Sequence, residues 1–296
     1  MTDENQQKST DIPEPQDLKD EFLKAVQDLP PMPKVLFKIQ KLLLDPNSDV
    51  EQIAGYIETD QALAAKVLKM ANSPFYGMTG KVSTIQHAAI ILGFETLSEL
   101  TTMAGFSAIM GRKMPGYGYD SDDLWKHSLA VALASKMIAE KINPDLANDA
   151  LTAGLLHDLG KLILDPYVLD QREAFDNLIE DENQTFLIAE KQILGFDHAE
   201  IASEICNHWK FPEPLTQAIK YHHNPSLSNG TEMAFILHLA DFIAVLSGSG
   251  YDLDEILDIE EEGTDKFLSI HEEDVKSIGD AIFESVLKIE EELNIR

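Results

Sequence analysis

This sequence has a single cysteine, no long apolar run and few basic residues. Because Cys206 is the one cysteine among 296 residues, the chain cannot form an intramolecular disulfide or a cysteine-based zinc cluster. No stretch approaches the roughly 20 apolar residues that a transmembrane helix needs. Residues 1–28 also lack the apolar run of a signal peptide. We therefore expect a cytoplasmic protein that does not bind a membrane.

The scarcity of basic residues leaves the chain strongly acidic. Lys and Arg total 23, Asp and Glu total 52, and the formal net charge is −29 at pH 7. Such a charge repels polyanions, so bulk binding to DNA or RNA is not expected. Residues 252–296 contain 16 acidic and four basic side chains, yet aliphatic residues recur there at helical spacing. We predict that this segment forms helices with one buried face.

Apolar residues at helical spacing dominate the rest of the chain, and the sequence has no alternating strand pattern. We predict an all-α, two-lobed helical bundle. In the second lobe, the predicted helices span 122–142, 145–163, 167–194, 198–208, 212–223 and 231–247. The predicted organisation is a disordered leader at 1–17, a first lobe at 18–118, a second lobe at 119–250, and acidic helices packed on that lobe at 251–296.

Local signals predict where elements of the first lobe begin and end. Ser48 with Glu51 and Ser83 with Gln86 each match a capping box, which marks a helix start. Gly93 is predicted to turn the chain between two apolar helical segments. The Gly- and Pro-containing loop at 111–119 is predicted to be the seam between the lobes.

Most of the nine histidines fall between residues 127 and 238, close to carboxylates. His157 and Asp158 are adjacent, and adjacent helical positions point about 100° apart, so an imidazole and a carboxylate can hold one ion from two directions. The carboxylate can also bridge to a second ion. Lys161 follows Asp158 by three residues, so its ammonium can meet a phosphate oxygen at the same site.

Further histidines and carboxylates extend this candidate site. Asp123 precedes His127 by four residues, and the pair can supply two ligands or one ligand with its hydrogen-bond acceptor. Asp123 is equally consistent with a surface charge at a helix start. A site made of imidazoles and carboxylates suits iron, manganese, zinc or nickel better than calcium or magnesium. The additional candidate ligands are His198, His222, His223 and Asp241. Four other histidines have no matching position in the family order described next and are interpreted as packing or surface residues: His87, His208, His238 and His271.

The order of these residues resembles the HD superfamily of metal-dependent phosphohydrolases, and the number of histidines is most similar to the HD-GYP phosphodiesterases. The first lobe resembles the HDOD family, bacterial signalling domains related to HD-GYP. That likeness covers roughly residues 20–245. It is carried by Leu29-Pro-Pro-Met-Pro33, Ile57-Glu-Thr-Asp60, Val67-Leu-Lys-Met-Ala-Asn-Ser-Pro-Phe-Tyr76, and Ser83-Thr-Ile-Gln-His-Ala88 through Leu92-Gly-Phe94.

The resemblance implies a di-metal site. One ion would be held by His127, His157, Asp158 and Asp241, and the second by Asp158 as a bridge together with His198, His222 and His223; Asp123 would be an auxiliary ligand. Many HDOD domains lack most of these ligands and are thought to act without catalysis, whereas this chain has them. HD-GYP enzymes follow the double histidine with a Glu and a Gly-Tyr-Pro loop that cradles cyclic di-GMP, whereas this chain continues with Asn224-Pro225-Ser226.

Two functions follow from the resemblance. The first is a bacterial signal-transduction protein with one or two divalent transition-metal ions, iron or manganese, and metal-dependent phosphohydrolase activity in which Asp158 and Lys161 are catalytic. The alternative is a non-catalytic signalling output module whose metal site is structural or vestigial. The expected partner is an unknown signalling protein or a phosphoester or nucleotide ligand, and no organic cofactor is expected.

Overall fold

A computed structural model of the protein describes residues 34–43, 45, 47–72, 76, 81–181, 184–248 and 263–293. Across these residues the chain is helical, with an isolated antiparallel bridge between Met114 and Tyr119 and no β-strand. The all-α prediction is therefore confirmed. The predicted leader at 1–17 and the beginning of the predicted acidic C-terminal segment lie outside the described residues. None of the described helices is long and apolar enough to cross a bilayer.

Four helices form the first part of the described chain, and α1, α2 and α3 all pack on α4. Gly93 interrupts α4 with φ of 80°, so the predicted turn at this glycine is confirmed. The helices are α1 (Lys34–Leu43), α2 (Val50–Ile57), α3 (Gln61–Ala71) and α4 (Ile85–Met110).

The two predicted capping boxes are wrong by one residue. Asp49, not Ser48, caps α2 by accepting a hydrogen bond from the amide of Gln52. Thr84, not Ser83, caps α4 in the same way. Asp and Thr are strong N-caps themselves, so a neighbouring serine with a suitable spacing does not decide which residue begins the helix.

The second part of the chain packs around α5, which lies against both α6 and α12. Gly154 in α6 allows α5 and α6 to pack closely. A Cβ at this position would lie 2.6 Å from the backbone of Ala132 in α5. The helices are α5 (Asp123–Ile142), α6 (Ala147–Leu156), α7 (Lys161–Asp170), α8 (Arg172–Asp176), α9 (Phe186–Leu194), α10 (His198–His208), α11 (Glu213–Lys220) and α12 (Glu232–Leu246).

Two predicted helices of this part are broken. The segment predicted as one helix at 145–163 contains a turn at 157–160, where the amides of Leu159 and Lys161 bond three residues back instead of four. The segment predicted at 167–194 is divided into α7, α8, a π-helical turn at Asn177–Asp181, and α9. The turn at 157–160 carries His157 and Asp158, so their side chains leave the end of α6 and not its middle.

The described C-terminal residues form α13 (Thr264–Leu268) and α14 (Glu272–Leu293). α14 packs on α5 and α12 and also reaches α3 in the first part of the chain. The predicted helix with one buried face is present here, and the lobe boundaries stay predictions. The buried face of α14 consists of Ile278, Ile282, Val286 and Ile289.

Candidate metal centre

Five segments of the second part of the chain converge on the candidate metal centre. α5 contributes His127, α12 contributes Asp241, α10 contributes its first residue, and the turns that follow α6 and α11 contribute the rest. The seven residues predicted as ligands are brought together, and they form overlapping groups whose ligand atoms lie within 4.8 Å of one another. The groups are His127 with His157 and Asp158; His157 with His222 and Asp241; and His198 with His222 and His223.

Asp158 lies at the middle of the cluster. Its Oδ1 is 3.3 Å from Nε2 of His198. Its Oδ2 is 3.5 Å from Nε2 of His157 and 3.6 Å from Nε2 of His127. Because one oxygen faces His198 and the other faces His127 and His157, this carboxylate lies between these histidines.

Two histidines are held in one tautomer by backbone carbonyls. Nδ1 of His157 is 2.8 Å from the carbonyl oxygen of Gly154, and Nδ1 of His222 is 2.7 Å from that of Ile219. A carbonyl only accepts hydrogen bonds, so Nδ1 carries the proton in both rings. Each neutral ring therefore presents the lone pair of Nε2 to the cluster, which is the form that binds a metal ion.

Lys161 begins α7 and lies inside the site. Its Nζ is 3.0 Å from Oδ2 of Asp158, and it lies 5.9 Å and 5.8 Å from the ring centres of Tyr117 and Tyr119. Although burial alone would raise it, His157 and Lys161 hold the pKa of Asp158 well below its usual range. The carboxylate is therefore ionised and available as a ligand.

The histidines divide into two protonation classes. Burial opposes the charge on His127 and His198, but Asp241 raises the pKa of His127 to about 9, and Glu190 raises the pKa of His198 to about 9. Burial, followed by the neighbouring His157, lowers the pKa of His222 to about 3. Burial and His222 also lower the pKa of His223 well below its usual value.

The donor set fits a transition-metal ion. Nε2 of His222 is buried and makes no hydrogen bond among the described residues. Nε2 of His127 also lies 3.2 Å from Nε2 of His157. Nitrogen lone pairs crowded in this way are stabilised by a shared proton or a cation, and imidazole with carboxylate suits iron, manganese, zinc or nickel.

Asp123, the predicted auxiliary ligand, is placed at the start of α5. Its Oδ2 accepts a hydrogen bond from the amide of Asp120 at 2.7 Å. It belongs to none of the three ligand groups among the described residues. This is the placement expected of a carboxylate that stabilises a helix start.

The four histidines interpreted as packing or surface residues lie outside the ligand groups. His87, His208 and His271 are exposed. His238 is buried, and its Nδ1 donates to the carbonyl oxygen of His222 at 2.7 Å. It therefore supports the turn that carries two of the predicted ligands.

Sequence reasoning missed Glu190 and Tyr117. Glu190 in α9 is fully buried, and its Oε2 lies 2.8 Å from Nδ1 of His198. The hydroxyl of Tyr117 donates to Oε1 of Glu190 at 2.6 Å. Glu190 and His198 are eight residues apart and lie in different helices. Helical periodicity therefore does not predict their contact.

Known proteins share the sequence pattern and the helical fold of this chain. The family model of the HDOD domain matches residues 29–225. The chain belongs to the HDOD family. A curated relative, an uncharacterised protein of Treponema pallidum (strain Nichols), is 25% identical over 200 residues, which are 67% of this chain and 38% of that protein. The match thus spans less than two fifths of the relative's length.

Solved structures share the fold of this HDOD protein. An HDOD domain protein of unknown function from Geobacter sulfurreducens has a TM-score of 0.77 at 26% identity, with 93% of this chain and 97% of that chain covered. A proposed phosphohydrolase from Shewanella amazonensis SB2B has a TM-score of 0.71 at 24% identity, with 92% and 97% covered. At that identity the second likeness shows the fold alone.

Proposed function

We propose that this HDOD protein binds one or two divalent transition-metal ions, iron or manganese, and hydrolyses a phosphoester. One ion would be held by His127, His157, Asp158 and Asp241. The other would be held by Asp158 together with His198, His222 and His223. When bound, the ions supply Lewis-acid activation of water and stabilise the negative charge that develops on the phosphate.

The observation that carries this proposal is the position of Asp158. One oxygen faces Nε2 of His198 at 3.3 Å, and the other faces Nε2 of His157 and His127 at 3.5 and 3.6 Å. His222 belongs to two candidate ligand groups, one with His157 and Asp241 and one with His198 and His223. A chain that needed only a packed core would bury apolar side chains here instead of charged groups with a high desolvation cost.

Lys161 is proposed to bind the phosphate. Its ammonium is fixed 3.0 Å from Asp158 and has no metal-binding capacity while it is protonated. An ammonium at this position can donate to a phosphate oxygen held at the same centre and offset its charge. The names of structural neighbours agree with this class, because one from Shewanella amazonensis SB2B is described as a proposed metal-dependent phosphohydrolase.

A specific observation favours the alternative, a bacterial signalling output module whose metal site is structural. The centre of the cluster is enclosed: His157, Asp158 and His198 are each at most 1% exposed and Lys161 is 2% exposed, whereas His223 at its edge is partly exposed. A phosphoester could reach Asp158 and Lys161 only if residues that cover them moved. Under this alternative the ions stabilise the fold, and another protein binds elsewhere on the surface.

Two substitutions separate these functions. Asp158→Ala removes an oxygen ligand from both ion sites, so metal content and hydrolysis should both fall. Lys161→Ala removes charge but no ligand, so metal content should stay near normal while hydrolysis falls about 100-fold or more. Metal stoichiometry, melting temperature and hydrolysis of a phosphoester and cyclic dinucleotide panel are measured with added manganese or iron.

Lys113→Ala is the matched control for Lys161→Ala. Lys113 is exposed and pairs with Asp120 at the surface, so its loss should change neither metal content nor hydrolysis. A metal-loaded wild type that hydrolyses no member of the panel would reject the enzyme and favour the signalling module. In that case Asp158→Ala should still lower metal content and melting temperature, and Lys161→Ala should change no activity.

A further inference from the structure

A buried carboxylate outside the predicted ligand set, Glu190, is hydrogen-bonded to the candidate ligand His198. Glu190 in α9 is fully buried. Its Oε2 accepts two hydrogen bonds from His198, one from the backbone amide and one from Nδ1, each at 2.8 Å. Its Oε1 accepts the hydroxyl of Tyr117 at 2.6 Å. Glu190 thus joins the first residue of α10 to the loop between α4 and α5.

We propose that Glu190 and Tyr117 are positioning residues of the metal centre. They fix the proton of His198 on Nδ1 and orient the ring so that Nε2 faces Asp158 and His223. The inference rests on the proposed metal site. A carboxylate that accepts the second ring proton of a metal-binding histidine sets its tautomer and raises the basicity of the opposite nitrogen.

The geometry around His198 shows why the orientation is rigid. The backbone amide and the ring of His198 are tied to the same carboxylate oxygen. A Cβ at Gly160 would lie 2.0 Å from the carbonyl oxygen of His198, so the start of α10 rests directly on the turn after Asp158. Glu190 therefore fixes the ring of His198, and the contact with Gly160 fixes the distance of its backbone from the turn that carries Asp158.

Tyr117 reaches Glu190 because its loop is fastened to the second part of the chain. The amide of Gly116 donates to Oδ1 of Asp165 at 2.7 Å, and Arg172 donates to the carbonyl of Gly116 at 3.3 Å. A Cβ at Gly116 would lie 2.3 Å from the backbone oxygen of Asp165, so this approach requires glycine. The position of Tyr117 is thus set by Asp165 of α7 and Arg172 of α8, and the first residue of α7 is the proposed phosphate-binding lysine.

The experiment compares Glu190→Gln and Tyr117→Phe with two matched controls. Glu99→Gln alters a buried glutamate that pairs with Lys136 outside the ligand groups. Tyr56→Phe removes a hydroxyl that donates to a backbone carbonyl in the first part of the chain. Zinc and manganese affinities are measured by titration, and the visible absorption spectrum of the cobalt-loaded protein reports the ligand geometry.

Glu190→Gln should weaken metal binding about 10- to 100-fold and change the cobalt spectrum. Tyr117→Phe leaves the carboxylate but removes one of its hydrogen bonds, so it should weaken metal binding by a smaller factor, about 3- to 10-fold. Both controls should keep the wild-type affinity and spectrum. Because a purely structural defect would lower the melting temperature without altering the cobalt spectrum, the spectrum distinguishes positioning from general stabilisation.

The outcomes separate this inference from the proposed function. If the wild type binds the metals and the Glu190 and Tyr117 variants bind them with the same affinity and spectrum, the positioning role is overturned and the metal site stands. If the wild type binds no metal, the proposed function fails and the positioning role fails with it. Should Glu190→Gln not fold, Tyr117→Phe, which removes a single oxygen, decides the question.

Discussion

The Nε2 atoms of His198 and His223 lie 2.8 Å apart at the proposed second ion site. Two nitrogen lone pairs at this distance repel, so one of the nitrogens carries a proton when no cation is bound. That proton belongs to His198, because Glu190 raises its pKa to about 9, whereas burial and His222 lower the pKa of His223. Metal binding must therefore displace a proton from His198.

This displacement predicts how metal affinity depends on pH. His127 and His198 both have a pKa of about 9 in the metal-free protein, so both are protonated at pH 7. A ligand must lose its proton to bind, so affinity should rise with pH up to about 9 and level off above it. The expected slope is about 10- to 100-fold per pH unit, for one or two protons released.

Isothermal titration of manganese or zinc between pH 6.5 and 8 checks this slope, and repeating it in buffers of different ionisation enthalpy counts the protons released. An affinity that stays constant across this range would contradict the protonation of His127 and His198. His222 contributes nothing to the slope here, because its pKa of about 3 keeps it neutral throughout.

Removal of the metal should destabilise the protein. Without a cation, the ionised carboxylates of Asp158 and Asp241 and several imidazoles remain crowded in a buried site. Binding to the folded state alone stabilises it by about 2.7 kcal/mol at 100 times the dissociation constant, which corresponds to a melting temperature higher by on the order of 5 °C. Thermal unfolding before and after chelation measures this difference.

Asp158→Ala is the control for chelation. If the chelator acts by removing ions from this centre, it should leave the melting temperature of this variant nearly unchanged. An equal decrease in the wild type and in Asp158→Ala would place the responsible ion somewhere else in the protein.

Glycine substitutions test the close packing of α5 against α6. A Cβ at Gly154 would lie 2.6 to 2.9 Å from the backbone of Val131 and Ala132, which cannot rotate away, so Gly154→Ala should destabilise the protein by about 1–3 kcal/mol. Gly55 lies in α2 with nothing within 4 Å of its added Cβ. Gly55→Ala should therefore stabilise the helix by up to about 1 kcal/mol.

Urea unfolding of both variants provides the measurement. The free energy of unfolding should rise in Gly55→Ala, where the added methyl group improves helix propensity. It should fall in Gly154→Ala, where the methyl group meets backbone. A Gly154→Ala variant as stable as the wild type would show that the close approach of α5 and α6 does not depend on Gly154.

Gly160→Ala tests whether the turn after Asp158 positions the start of α10. The added Cβ would lie 2.0 Å from the carbonyl oxygen of His198, so α10 must shift away from Asp158. We expect weaker zinc binding than in Gly154→Ala at a comparable loss of stability. Equal zinc affinity in the two variants would mean that α10 is placed by other contacts.

The sequence by itself determined the helical class and named the candidate ligands. Apolar periodicity specifies a helix through local geometry, so the all-α fold could be predicted without knowing which helices touch. The turn at Gly93 was also predictable, because a glycine there adopts a positive φ that other residues avoid. The order from His127 to Asp241 named the candidate ligands through a family resemblance, since spacing along the chain does not measure distance in space.

Only the tertiary structure decided how those ligands are supported. Glu190 belongs to α9 and Tyr117 to a loop 73 residues earlier, and their hydrogen bond exists because α7 holds that loop in place. The turn at His157–Gly160, expected as part of a continuous helix, likewise depends on the approach of α10 to Gly160. Local sequence encodes backbone preference, whereas contacts between distant segments arise only when a shared core buries them together.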